Sequence, residues 1–291
     1  MNVLSFDIEE WYLNYQRSGP KEKYLEYDSY LDTILEVLCE CQLTATFFCV
    51  GRMGELFPNV INKIHSQGHE IGCHSNVHTW LNKMTKDECR EDTRRAVDSL
   101  EQCIGEKVRS YRAPAFSIGV NNKWALETLV ENGIDRDASI FPASRSFGGF
   151  AHFGQKMPCR VEYNGIQIKE FPICTTTILG KELAYSGGGY FRFFPLHFIK
   201  KVMTRSPYVM CYFHIGDLVP ESRGIQSKEE YESYFKEKGT VQARYMRYIK
   251  ANVGKKHALE KMLSLIKEYD YLSLDKADAV IEWDVTPIVR L

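Results

Sequence analysis

Val3-Leu4-Ser5-Phe6-Asp7-Ile8-Glu9-Glu10-Trp11, residues 3 to 11, runs a short apolar strand straight into three carboxylates within four positions. Like charges that close repel one another. Side chains alternate along an extended chain, so Asp7 and Glu9 share one side and Glu10 takes the other if the strand persists past Phe6. Two carboxylates facing one place raise each other's pKa unless a cation lies between them. A solvated acidic loop is the ordinary reading of such a trio, so the remainder of the chain has to decide.

Working outward, short apolar runs alternate with segments of helical period. After VLSF come a helix in Asp28 to Gln42, the strand TATFFCV (44–50), a helix at 55–67 and the strand HEIGC (69–73). A helix over 86–104 follows, opened by the capping-box pattern Thr85-Lys86-Asp87-Glu88. Then come VRSY (108–111), a helix at 122–131, strands near Ile134 and around 168–173, a helix at 195–204 and YVMCYF (208–213). Gly187-Gly188-Gly189 reads as a flexible turn, with neither a helix start nor the GK[ST] of a phosphate loop after it. Two amphipathic segments, 228–250 and 255–268, close the chain. This rhythm predicts an α/β fold of stacked strand-helix units around a parallel sheet or barrel.

With no repeat or low-complexity linker, 1–291 is expected to form a single domain, its core motifs within 1–215 and a C-terminal helical segment, 228–291, packed on the barrel. The 291 residues are 44% hydrophobic, enough for a large core. With 37 basic against 38 acidic residues, the chain lacks the charge excess that selects nucleic acid or an anionic membrane as partner. No segment reaches the length of a membrane span and the N-terminus shows no export signal, so a cytoplasmic location is expected. Nine scattered cysteines, an odd number without a CxxC pair, read as reduced, mostly buried thiols.

The polar clusters fall in register with the strands. Asp7-Ile8-Glu9 follows VLSF, His74-Ser75-Asn76-Val77-His78 follows HEIGC, Arg112 follows VRSY, Asp137 and Ser139 follow the strand near Ile134, and His214 follows YVMCYF. All lie at carboxyl ends, the rim on which a parallel barrel assembles its active site. One turn of helix would aim His74 and His78 the same way, as a divalent metal needs. An HxxxH pair alone is usually a surface feature, but Glu9 supplies a third ligand and the metal relieves the repulsion at the first strand. Two histidines and a carboxylate with an open position make a hydrolytic site, in which Asp7 is free to accept a proton from water.

At this point the chain resembles the polysaccharide deacetylases of the NodB homology type, carbohydrate esterase family 4, and within them the branch found with exopolysaccharide gene clusters. FDIEEW resembles the family's first motif in a D-x-E form, His74–His78 its second, Tyr111-Arg112-Ala113-Pro114 its third, Asp137-Ala138-Ser139-Ile140-Phe141-Pro142 its fourth and Tyr212-Phe213-His214 its fifth. Ala45-Thr46-Phe47-Phe48 and Gly68-His69-Glu70-Ile71-Gly72 are similar to its connecting segments, and Gly187 to Arg192 to a stretch of the exopolysaccharide branch. The chain departs in placing Ile215-Gly216-Asp217 where that branch often has Pro-Trp-Glu, and Asp7-Ile8-Glu9-Glu10 in place of an Asp-Asp pair, so Glu10 stands as the alternative to Glu9 as ligand.

The resemblance implies a distorted (β/α)7 barrel and a metal-dependent hydrolase that removes N-acetyl groups from an amino sugar in a polysaccharide or its precursor. It implies a divalent metal, with zinc favoured, on Glu9, His74 and His78. Asp7 would be the general base, Arg112 its partner, His214 the general acid and Asp137 the tuning partner of His214. Trp80, Tyr190 and Phe191 could stack on sugar rings, although aromatic residues are more often core. Two other readings stand beside this one: a hydrolase of small linear or cyclic amides on the same fold, and a carbohydrate-binding relative without turnover.

Overall fold

The computed structural model describes residues 1–143, 148–220, 224–235 and 237–291. Strand β1 (Asn2–Ile8) is buried along nearly its whole length, because it has parallel neighbours on both edges and layers on both faces. The parallel strands run in the order β10 (Val209–His214), β1, β2 (Thr46–Cys49), β3 (Glu70–Cys73), β4 (Ser110–Tyr111), β5 (Arg136–Asp137) and β7 (Ile166–Glu170). The two ends of this run, β7 and β10, share no ladder among the described residues. They are joined by the Met210 amide donating to Cys174 Sγ at 2.8 Å and Tyr208 Oη donating to the Pro172 carbonyl at 3.1 Å. Seven parallel strands with one irregular seam make the distorted barrel that the resemblance implies.

Beyond β7 the sheet turns antiparallel. β6 (Cys159–Tyr163) pairs antiparallel with β7 as a hairpin, and β11 (Ile288–Arg290) pairs with β6 in parallel. A single strand around 168–173 was the expectation; the hairpin signal, Asn164-Gly165, lies just before it. Both residues have positive φ, 45° and 84°, the primed turn that matches strand twist. β8 (Thr175–Ile178) and β9 (Lys181–Ala184) form a separate hairpin.

Helices Glu22–Glu40 and Lys86–Ile104 lie close to their predicted places, the latter with the Thr85/Glu88 capping box and a left-handed Gly105 after it. The expected helix at 55–67 is broken, because Pro58 starts a new one: Arg52–Leu56 is followed by Pro58–His65. The segment 228–250 divides into Lys228–Phe235 and Val241–Asn252. Helix Ala258–Glu268 packs on Glu22–Glu40, and Leu274–Val280 against β1. The triple glycine does open a helix, Gly188–Phe193, contrary to its reading as a flexible turn. Gly187 is required there, since a Cβ would stand 2.3 Å from the Tyr212 carbonyl of the adjoining β10. All nine cysteines are free.

Candidate active site

Arg112, directly after β4, is fully buried and ties four strands together inside the barrel. Its Nη1 donates to Ser5 Oγ at 2.9 Å and Asp7 Oδ1 at 2.8 Å, its Nε to the Ala138 carbonyl at 3.2 Å, and its Nη2 lies 3.4 Å from Met210 Sδ. The ring of Phe48 closes one face of the guanidinium at 4.2 Å. Burial pushes the Asp7 carboxyl up, but Arg112, His74 and His214 outweigh it and hold Asp7 below the usual carboxylate range. Asp7 and His214 are register partners of β1 and β10, with His214 Nε2 3.5 Å from Asp7 Oδ2.

Strand β1 ends at Ile8, one residue earlier than the parity argument assumed, and Glu9 caps the short helix Glu10–Gln16. Its carboxylate still turns to the histidines: Glu9 Oε2 lies 2.5 Å from His78 Nε2 and 3.6 Å from His74 Nε2. Glu10 faces elsewhere, its Oε1 accepting from the Gly216 amide at 2.5 Å. The two histidines are not on a helical turn, as was expected. Residues 74–80 form an irregular loop with Ser75 and His78 in the left-handed region, φ 59° and 58°, and these two turns set the rings 5.2 Å apart. Strain of this kind persists where surrounding contacts impose it. The Asn76 amide donates to Asp92 Oδ2 at 2.8 Å, and Trp80 packs against Tyr234 and Phe235 of the helix Lys228–Phe235.

The three ligand atoms of Glu9, His74 and His78 lie within 4.8 Å of one another. His74 Nδ1 is 2.7 Å from the Arg112 carbonyl, which can only accept, so Nδ1 carries the proton and Nε2 offers its lone pair toward Glu9. No described donor meets the buried Glu9 Oε2 in hydrogen-bond geometry. Lone pairs converging on one point, with one imidazole oriented from behind, fit a divalent cation. Burial raises the Glu9 carboxyl, but the nearby His78 and His214 bring it well below its ordinary value.

His214, the last residue of β10, does not meet Asp137. Its carboxylate neighbours are Asp7, Glu9 and Asp217, and its Nδ1 lies 3.2 Å from Asp217 Oδ2. Burial lowers the His214 pKa, but Glu9, Asp217 and Asp7 together raise it to about 10. Asp137 accepts from Ser139 Oγ at 2.5 Å and shares its buried surroundings with Glu170. Strand β5 includes Asp137 as its last residue, so its side chain belongs to the strand's own environment and Asp217 takes the place assigned to it. Asp217 is held in turn by Arg192, whose Nη2 is 3.5 Å from its Oδ1. Phe191 is buried edge-on against Phe213 at 4.8 Å and Trp80 is buried, so of the three aromatics proposed for stacking only Tyr190 presents its ring to solvent.

Two residues at the site were missed. Asp217 stands three positions after His214, in the tripeptide noted only as a departure. Asp92 lies in the charged helix run Glu91 to Asp98, where nothing in the sequence separates it from its solvated neighbours.

Residues 11–135 match the polysaccharide deacetylase family, and residues 138–279 match a domain of unknown function, DUF3473. A peptidoglycan-N-acetylglucosamine deacetylase of Bacillus cereus is 34% identical over 122 residues, 39% of this chain and 44% of that protein. A chitooligosaccharide deacetylase of Sinorhizobium fredii is 28% identical over 103 residues, 33% of this chain and 48% of that protein. The matched stretch thus spans less than half the length of these curated relatives. A solved structure from Mycobacterium smegmatis, described among the polysaccharide deacetylases, covers 98% of this chain and 91% of its own at 16% identity, with a TM-score of 0.62. A pseudoenzyme of carbohydrate esterase family 4 from Bacillus anthracis covers 95% of this chain and 64% of its own at 15% identity and TM-score 0.51. At such identity these two structures speak to the fold alone. Over residues 11–135 the chain matches the polysaccharide deacetylase family, and its fold is similar to that of solved structures described as a polysaccharide deacetylase and a carbohydrate esterase family 4 pseudoenzyme.

Proposed function

We propose that this chain is a metal-dependent hydrolase that removes N-acetyl groups from an amino sugar in a polysaccharide or its biosynthetic precursor. The observation that carries the reading is the convergence, on one barrel rim, of the Glu9–His74–His78 cluster with the Asp7–Arg112 and His214–Asp217 pairs. A divalent cation held by that cluster, zinc in this reading, supplies Lewis acidity that polarises an acetamide carbonyl and acidifies water. Asp7, kept ionised and aimed by Arg112, accepts the proton of the attacking water. His214, kept protonated by its carboxylate neighbours, donates a proton to the departing amine. Arg112, behind Asp7 and shielded from solvent, fixes the base without competing for substrate.

The test is acetate release by the purified chain from N-acetylglucosamine oligomers, with and without Asp7→Asn. Loss of acetate release with metal content retained supports the assignment. A wild-type chain that binds metal and saccharide but releases no acetate under any divalent ion would make it a binding relative.

A further inference from the structure

The helix Val241–Asn252 is amphipathic the wrong way round for a soluble fold. None of its residues is buried. Its inner side is made by Ala243, packed against the Trp80 cluster; Arg244, donating to the Gln226 carbonyl at 3.0 Å; Arg247, 3.9 Å from the Phe235 ring; and Ala251, whose carbonyl accepts from Arg192. At 100° per residue Tyr248, Val241, Tyr245, Ile249, Val253 and Met246 fall on the opposite arc, roughly 160° wide, interrupted by Gln242 and Asn252. Val241 is 75% exposed, Tyr245 52% and Met246 46%. The helix Gly188–Phe193, docked on its C-terminal end through Arg192, adds Phe193 at 67% exposure.

Charge says what covers this face. From 238 to 259 the sequence holds Lys238, Arg244, Arg247, Lys250, Lys255 and Lys256 and no carboxylate, although the whole chain is close to neutral. Lys238, Lys250 and Lys256 are exposed. Glu237 and Glu260 flank this stretch, the latter 3.3 Å from His257 Nδ1, and still leave it an excess of positive charge, while Glu230 and Glu232 turn to the backbone amides of Ser227 and Gly239. A second copy of this face would bring like charges together, and a neutral saccharide would leave the charge without a use. Apolar and aromatic residues flanked by lysines match an anionic bilayer surface.

We propose that Val241–Asn252 is an interfacial anchor: it lies in the plane of an anionic phospholipid surface, with Val241, Tyr245, Met246 and Val253 entering the headgroup boundary and Lys238, Lys250 and Lys256 facing the phosphates. The anchor is independent of the reaction assigned to the barrel rim.

The experiment is sedimentation of the full chain with vesicles of phosphatidylcholine, or of phosphatidylcholine and phosphatidylglycerol in equal parts. The wild type should pellet with the anionic vesicles only. Val241→Ser/Tyr245→Ser/Met246→Ser and Lys238→Glu/Lys250→Glu/Lys256→Glu should each weaken partitioning roughly tenfold or more, with unchanged thermal melting. If a triple variant melts early, Tyr245→Ser or Lys250→Glu replaces it, with a loss of roughly threefold expected. Wild-type protein that stays in the supernatant overturns the proposal, as does undiminished binding by the serine variant. So does self-association, abolished by the serine variant, in a chain that ignores vesicles; the occupant would then be a second copy. Retention on dextran sulfate without vesicle binding overturns it too, leaving a general anion patch.

Discussion

Asp217 stands between two cations, 3.2 Å from His214 Nδ1 on one side and 3.5 Å from Arg192 Nη2 on the other. With Asp7 and Arg112 beyond the imidazole, the row alternates in sign from Arg192 to Arg112. Each charge is stabilised by its neighbours, and the row links the barrel interior to the carbonyls of Lys250 and Ala251 at the end of a peripheral helix.

Replacing Asp217 with Asn removes one of the charges that raise His214 while keeping the side chain's shape. A general acid works only while protonated, so the basic limb of the pH–rate profile should move to lower pH, with kcat for acetate release down roughly 10²-fold. Arg192→Gln should move the limb the same way and by less. Full profiles of kcat/KM against pH check both. A limb that stays in place in Asp217→Asn would remove His214 from the acid role.

His74→Ala with His78→Ala takes two of the three ligand atoms. Mass-spectrometric metal analysis of protein grown without added metal should find near-stoichiometric divalent ion in the wild type and next to none in the double variant. Asp92→Ala should give an intermediate result, with weaker retention during dialysis against chelator, because the Asn76 amide loses the acceptor that holds the histidine loop. Equal metal content in all three proteins would place the ion elsewhere.

The sequence displayed this centre unevenly. Val3 to Phe6, Ile71 to Cys73 and Tyr208 to Phe213 are largely apolar runs, the mark of parallel strands covered on both faces, and each is followed directly by a residue that reaches the rim. That is why Asp7, Glu9, His74, Arg112 and His214 could all be named from spacing and resemblance. Long-range partnerships follow no such period. Asp217 belongs to His214 because the chain turns into a short helix there, and Asp92 to the histidine loop because the helix Lys86–Ile104 passes beneath it. The β6–β7 hairpin is written only in Asn164-Gly165, a two-residue primed turn between strands that carry no period of their own to separate them.

Arg112→Leu should be costly to the fold as well as to turnover. It leaves the Asp7 carboxylate and the Ala138 carbonyl buried without the donor each now has. Breaking a buried pair from one side destabilises by roughly 3–5 kcal/mol. Urea unfolding should show that loss as a lower midpoint at unchanged slope. Asp7→Asn, which keeps an oxygen for Arg112, should cost markedly less stability while abolishing acetate release. Equal stability losses would mean that the pair's charge matters to folding more than its geometry.

Asp137 and Glu170 give the barrel a pH dependence of its own. Burial drives both carboxyls up, Asp137 to about 6 and Glu170 well above its ordinary value, and their closeness adds to the rise of Glu170. The pair holds its protons more tightly folded than unfolded. Its contribution to stability is therefore complete below about pH 4, where the unfolded carboxyls also protonate, and is lost as pH rises through about 6. The loss from Asp137 is about 3 kcal/mol at most, at roughly 1.4 kcal/mol per pKa unit. Glu170→Gln keeps an oxygen for the Ile140 amide and offers Asp137 an amide donor in place of a second acid. Its urea midpoint should hold more nearly level from pH 4 to pH 7 while that of the wild type falls, and parallel curves for the two proteins would show that the pair is not the titrating element.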